Sequence, residues 1–165
     1  MTKRNLLTAI ATVSLAMSAA AFADTSTLGV TIAPEATFTI VPATTTLSKG
    51  NTTFGGFGGT TSFTYKIRTT LAGGTGSITV QVTTFGVGGP AIADLAYTCT
   101  AASGTACAGS TAASVGSATS VVSFGADAHS ADAGDLGSAV WTLVDRTDIQ
   151  TGSYSSTATF TISAT

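Results

Sequence analysis

Alternation of apolar and small polar residues is the sequence feature that most limits how this chain can fold. It is clearest near the C-terminal end, where Ala139, Trp141 and Leu143 form one alternating run and Phe160 and Ile162 belong to another. Successive side chains of a β-strand point to opposite faces, so this spacing predicts two half-buried strands. A polar segment separates the two runs and holds all the charges of this region, which predicts an antiparallel hairpin.

The same alternation recurs upstream, and turn signals rich in glycine and proline separate the runs. We predict that inward-facing positions are held by Leu28, Val30, Ile32, Phe38, Ile40, Phe63, Tyr65, Ile67, Ile78, Val80, Val82, Leu95, Tyr97, Cys99, Val122 and Phe124. A second hairpin is predicted around the glycine-rich connection 72–76. No segment after residue 23 keeps the apolar spacing of a helix. The pattern predicts an all-β fold, an antiparallel β-sandwich of about eight strands in one domain.

The N-terminal residues have the pattern of a secretory signal peptide. Lys3 and Arg4 precede a run of apolar and small residues, and Ala21-Phe22-Ala23 fits a cleavage site between Ala23 and Asp24. A membrane anchor is the alternative, but the apolar run is short, is interrupted by Thr and Ser, and has no stop-transfer charges after it. We therefore expect residues 1–23 to be a signal peptide and residues 24–165 to form a secreted, periplasmic or cell-surface domain without a membrane span.

The charges of the expected mature chain exclude several classes of partner. Residues 24–165 hold four Lys and Arg side chains against eight Asp and Glu, so their net charge is 4 − 8 = −4. No basic patch is present, which argues against binding of nucleic acid or of an anionic membrane surface. Charged residues make up 8% of the chain, and its Thr- and Ser-rich composition favours strands and turns over helices.

The two cysteines, Cys99 and Cys107, both follow the predicted signal peptide. An even number of cysteines in an exported chain favours a disulfide bond between them. The alternative is a pair of free thiols.

One loop gathers residues that bind metals in other proteins. Asp127, His129, Asp132 and Asp135 are candidate ligands for Ca²⁺ or a transition metal, but their spacing differs from the known calcium loop. His129 is the only histidine, no nucleophile elbow is found, and no pair of carboxylates is marked for glycoside hydrolysis. The glycine-rich segment 54–59 lacks the lysine and the following helix of a phosphate-binding loop. We therefore predict neither catalysis nor a bound metal or cofactor.

The C-terminal run has a further feature: Gly152-Ser153-Tyr154 precede the alternating Ala158, Phe160 and Ile162. This ending resembles the ends of subunits in bacterial chaperone–usher pili, including the spore coat protein U type, although Ala164 stands where many of those subunits carry Tyr. The resemblance implies a pilin-like, immunoglobulin-like sandwich that serves as a fimbrial or coat subunit. A Gly-x-Tyr entry into a last strand also occurs in immunoglobulin-like surface domains, where the tyrosine hydroxyl binds nearby backbone.

Two functions of different classes remain open. The first is a non-catalytic structural protein that assembles with itself or with related subunits by strand exchange, using Leu28, Val30 and Ile32 as its assembly strand. The second is a monomeric secreted binding module with an immunoglobulin-like fold. Such a module would bind a surface glycan or protein through loops such as 86–90 or 101–111.

Overall fold

The computed structural model describes residues 26–165; the predicted signal peptide and its cleavage site at Ala23 and Asp24 lie outside these residues. The chain divides into a short unit that ends at Thr31 and a compact unit, Ile32–Thr165. The strands of the compact unit are β1 Glu35–Ile40, β2 Ser48–Lys49, β3 Phe57–Arg68, β4 Gly76–Val82, β5 Leu95–Ala101, β6 Thr105–Ala106, β7 Thr111–Ala112, β8 Thr119–Phe124, β9 Asp135–Leu143 and β10 Ala158–Ala164. A single 3₁₀ turn, Ile92–Asp94, precedes β5.

The strands form two antiparallel sheets that pack face to face. The first sheet has the order β1-β3-β9-β5-β7, and β2 also pairs with β3. The second sheet has the order β10-β4-β8-β6. The predicted antiparallel β-sandwich is therefore confirmed, with ten strands among residues 26–165 in place of about eight. The additional strands β2, β6 and β7 have two residues each, which is too short for an alternating pattern to be visible in the sequence.

Period-two alternation accounts for the core between the sheets. Every second residue of β3 and β4 points inward, so each strand alternates buried and accessible side chains. The predicted inward residues that are buried are Phe63, Tyr65, Ile67, Ile78, Val80, Val82, Leu95, Tyr97, Val122, Phe124, Ala139, Trp141 and Leu143. The Tyr97 hydroxyl lies 2.7 Å from Thr119 Oγ1 and 3.0 Å from the Ser120 carbonyl oxygen. Burial raises the pKa of Tyr97, so the neutral phenol is the form that the core accommodates.

Neither predicted hairpin is present. β9 and β10 belong to different sheets, as do β3 and β4. Both edges of β9 are taken, by β3 on one side and β5 on the other, so β10 cannot pair with it. The connection 144–157 is also much longer than the two to five residues, roughly, that close a hairpin. The two strands meet instead across the core, where the Trp141 and Phe160 ring centroids are 6.5 Å apart.

The prediction of a strand over residues 26–32 is also wrong, because these residues form no strand within the single chain. Ser26 to Pro34 form no strand, and the first strand begins at Glu35. Alternation identifies residues that suit a strand, but a strand also needs a backbone partner. Pro34 cannot donate to a sheet ladder, which separates this segment from β1.

A buried hydrogen bond fixes the indole of Trp141 in the core. The indole Nε1–H donates to Thr61 Oγ1 over 2.9 Å, and Thr61 Oγ1 lies 2.7 Å from Thr45 Oγ1. Thr61 is a buried polar side chain, and buried polar groups need hydrogen-bond partners. Its hydroxyl has two partners, the indole of Trp141 and Thr45 in the loop that precedes β2. Removing this hydroxyl would leave a buried donor without a partner.

We therefore expect Thr61→Val to lower the free energy of unfolding by about 1–3 kcal/mol, because the indole N–H loses its acceptor while side-chain volume is kept. Thr60→Val, on the exposed face of the same strand, is the matched control and should change stability by less than about 0.5 kcal/mol. Urea unfolding followed by Trp141 fluorescence measures both. Equal stability of the two variants would contradict this role for Thr61.

Cys99 and Cys107 are paired, with their Cα atoms 5.4 Å apart, in agreement with the predicted disulfide. Cys99 lies in β5 of the first sheet, and Cys107 follows β6 of the second. The Cys107 backbone N–H donates to the Val121 carbonyl oxygen over 2.9 Å, which ties it to β8. The disulfide therefore links the two sheets.

Replacing both cysteines by alanine should lower the free energy of unfolding by about 2–3 kcal/mol, because the bond closes a short loop in the unfolded chain. The double variant avoids leaving one unpaired thiol. Parallel melting curves of the parent with and without reductant provide the comparison. A double variant as stable as the oxidised parent would contradict the expectation.

Candidate assembly seam

The two sheets have their first and last strands, β1 and β10, along the same side of the sandwich. The rings of Phe38 on β1 and Phe160 on β10 are stacked with centroids 5.8 Å apart. We call this side the seam and define it by the inward residues of both strands, which are Ala36, Phe38, Ile40, Ala158, Phe160, Ile162 and Ala164. All seven are only partly buried and pack against the core.

Phe63 of β3 connects the seam to the interior. Its ring centroid is 5.0 Å from that of Phe38 and 5.9 Å from that of Phe160. Phe63 itself is buried, because β3 has a neighbouring strand on each side. Phe38 and Phe160 stay partly exposed because their strands have a neighbour on one side only. The predicted core position of Phe160 is thus confirmed as a contact with the core, but its burial is incomplete.

The backbone of both seam strands also has one edge without a partner strand in the described part of the chain. Among residues 26–165, β1 pairs with β3 and β10 pairs with β4, and neither strand has a second partner. An edge strand presents a row of unpaired N–H and C=O groups that can pair with another chain. The seam therefore has two open hydrogen-bonding edges with partly buried apolar side chains between them.

Strand order relates the seam to a particular position in an immunoglobulin domain. In such a domain, strands A, B, E and D form one sheet, and strands C, F and G form the other. The order β1-β3-β9-β5 corresponds to A-B-E-D, and the pair β4 and β10 corresponds to C and F, whereas β8 and β6 extend the second sheet beyond β4 and have no counterpart in this scheme. No strand within residues 26–165 lies next to β10 where strand G would lie. The seam therefore lies at the place that strand G occupies in an immunoglobulin domain.

The predicted assembly residues are not part of the core. Leu28, Val30 and Ile32 are 94%, 83% and 63% exposed, and none lies in a strand. Single exposed apolar residues are ordinary, but three at strand spacing in an uncharged segment form one apolar edge when extended. The three side chains are thus spaced as on one face of a strand, but no part of the domain within residues 26–165 buries them.

The candidate metal ligands are distributed around a surface turn. Asp127 and His129 are exposed, and His129 Nδ1 lies 2.9 Å from the Asp127 carbonyl oxygen. Asp135 accepts hydrogen bonds from the Ser103 hydroxyl and, over 3.2 Å, from the Ala131 N–H. Asp132 is exposed. Residues 26–165 contain no group of three or more His, Cys, Asp or Glu side chains placed to hold a metal ion.

The two loops suggested for ligand binding begin at opposite ends of β5. The loop 86–90 lies before the 3₁₀ turn that leads into β5, whereas the loop 101–111 leaves its other end. β5 has seven residues, which corresponds to about 23 Å of strand. The structure therefore places these two alternative loops at different ends of one strand.

Tyr154 precedes β10 and donates its hydroxyl hydrogen to the Gln150 carbonyl oxygen over 2.9 Å. This local bond to backbone four residues upstream is the geometry of a tyrosine corner. The ring also packs against Gly89, where an added Cβ would lie 2.7 Å from Tyr154 Cδ1. Tyr154 thus fixes the entry into β10.

Residues 26–165 thus form an antiparallel β-sandwich whose strand order matches that of an immunoglobulin domain in part, with an open seam between β1 and β10. No protein-family model, curated protein or solved structure matches the chain. Within residues 26–165, no helix has the length and apolar character needed to cross a membrane.

We expect His129→Ala to leave the melting temperature unchanged, because the ring is exposed and its one hydrogen bond is to a backbone oxygen two residues away. Addition of micromolar Zn²⁺ or Ca²⁺ should likewise leave the melting temperature of the parent unchanged. Differential scanning fluorimetry with and without chelator measures both. A rise of several degrees with metal that disappears in His129→Ala would contradict the expectation.

Proposed function

We propose that the protein is a non-catalytic structural subunit of an extracytoplasmic fibre or coat. In this proposal, residues 26–33 of one copy pair with the seam of the next copy and complete its sandwich by β-augmentation. The observation that carries the proposal is the combination, along one side of the domain, of two unpaired strand edges and seven partly buried apolar residues. The exported location is supported by the signal-like residues 1–23 and by the Cys99–Cys107 bond.

The segment and the seam agree in length. Residues 26–32 correspond to about 23 Å of extended chain, and β10 also has seven residues. An inserted strand would alternate Leu28, Val30 and Ile32 toward the core and its Thr and Gly residues toward solvent. The apolar side chains then contact Phe38 and Phe160, and the inserted backbone pairs with the free edge of β10.

The energetics favour such an insertion. Burying a Val, Leu or Ile side chain stabilises by roughly 1.5–3 kcal/mol, so three of them contribute about 5–9 kcal/mol before any hydrogen bonds. Ordering the segment costs part of this gain. Insertion also removes the exposed edges, which are otherwise sites of unspecific aggregation. A domain of this kind is more stable with a complementary strand than without one.

Deletion of residues 24–33 tests the proposal, because it removes the inserted strand and leaves the seam intact. The truncated domain should remain monomeric in size-exclusion chromatography, whereas the chain that keeps these residues should form higher oligomers. A synthetic peptide of residues 24–33 should bind the truncated domain and raise its melting temperature by several degrees. Isothermal titration calorimetry and differential scanning fluorimetry measure these effects.

The matched control is a peptide in which Leu28, Val30 and Ile32 are each replaced by Thr, which keeps strand propensity but removes apolar burial. It should neither bind nor stabilise. A stable monomer from the full expected mature chain, together with a truncated domain that the natural peptide does not stabilise, would contradict strand exchange. That result would favour the monomeric binding module for a surface glycan or protein.

A further inference from the structure

A second concave surface lies outside the seam, at the end of the first sheet where β3 begins and β9 ends. This depression of about 550 Å³ is within the size range of small-molecule sites. We call it the Phe54 cleft; its principal lining residues are Ser48, Phe54, Phe57, Thr142, Val144 and Asp145. Gly56 and Gly58 leave its floor without side chains, and an added Cβ at Gly56 would lie 2.8 Å from the Leu143 carbonyl oxygen.

An ion pair stands beside the aromatic side chains of the cleft. Lys49 Nζ lies 2.7 Å from Asp145 Oδ2. The same ammonium group lies 5.6 Å from the centroid of the Phe54 ring and 5.7 Å from that of Phe57. Asp145 is mostly buried, while Lys49 is partly exposed. The lining of the cleft thus includes a charged acceptor and an aromatic surface, and the Lys49 ammonium group lies next to both.

Phe54 is held there in a conformation that its side chain disfavours. Its φ is 53°, and it is the third residue of a turn closed by the Gly55 N–H and the Thr52 carbonyl oxygen over 2.9 Å. Glycine or asparagine is preferred at such a position. The side chain gains little burial in return, since the residue is 58% exposed. Residues held in such conformations are concentrated at active sites and ligand-binding sites.

We propose that the Phe54 cleft binds a neutral saccharide. A sugar ring has an apolar face of C–H groups, which suits the exposed aromatic ring, and an edge of hydroxyl groups that both donate and accept hydrogen bonds. The Asp145 carboxylate accepts from such hydroxyls, and the Lys49 ammonium donates to them. Because the ion pair has no net charge, the cleft has no preference for an anion or a cation. A protein partner would need a larger buried surface than this depression provides.

This inference does not rest on strand exchange. Phe54 and Asp145 lie outside β1 and β10, so a change in the cleft leaves the edges of the seam as they are. Oligomer formation and saccharide binding can therefore fail independently, and each is measured separately.

The decisive variant is Phe54→Gly, because it removes the ring while placing the residue that the turn prefers. The probe is an array of immobilised neutral oligosaccharides ending in glucose, galactose, mannose or N-acetylglucosamine. The purified protein should bind at least one of them, and calorimetric titration of that sugar should show affinity at least about tenfold weaker for Phe54→Gly. Its melting temperature should equal or exceed that of the parent.

Leu71→Gly is the matched control, because Leu71 is also an exposed apolar residue in a turn but lies outside the cleft. It should bind the same sugar with the affinity of the parent. Asp145→Asn should also weaken binding, since the charged acceptor is lost at constant volume. Absence of binding to every neutral sugar on the array, or equal affinity of Phe54→Gly and the parent, would overturn the proposal. Selective binding of acidic sugars or of a protein in their place would overturn it too.

Discussion

The structure depends on the contact between the inward faces of two sheets. Each inward face is a row of mainly apolar residues, as in β3 and β4, with Thr61 as the buried polar exception in β3, and such a row is stable only when another row covers it. Interior strands satisfy this condition because they have neighbours on both sides and a sheet above them. Edge strands do not, and the sandwich therefore has accessible apolar surface wherever two edges meet. The seam between β1 and β10 follows from this constraint.

The same constraint explains why the seam is a better candidate for function than the Asp- and His-containing turn. The turn satisfies its polar groups locally, as His129 and Asp135 do with nearby backbone and hydroxyl groups. Phe38 and Phe160 cannot be satisfied in this way, since only another apolar group can cover them. In the proposed assembly, residues 26–33 of another copy supply alternating apolar residues that cover them.

Much of the fold could be predicted from the sequence, and the limit of that prediction has a physical reason. Alternation assigns a residue to the inner or outer face, so the burial of Phe63, Val80 and Trp141 followed directly from their spacing. Alternation does not say which strand is the neighbour, because any strand with the right period fits. The two hairpins were wrong for this reason. The Phe54 cleft could not be predicted either, since Lys49 and Asp145 are 96 positions apart and meet only through the register of β2, β3 and β9.

The disulfide gives the two sides of the sandwich different mechanical properties. Cys99 and Cys107 connect the sheets near β6 and β7, the edge strands farthest from β1 and β10 in the two strand orders. The margin at β6 and β7 is therefore joined by a covalent bond between the sheets. At the margin of β1 and β10 the sheets are held by side-chain packing and by the hydrogen bond from the Thr70 N–H to the Thr165 carbonyl oxygen. A force that pulls the sheets apart would therefore separate them at the second margin before the first.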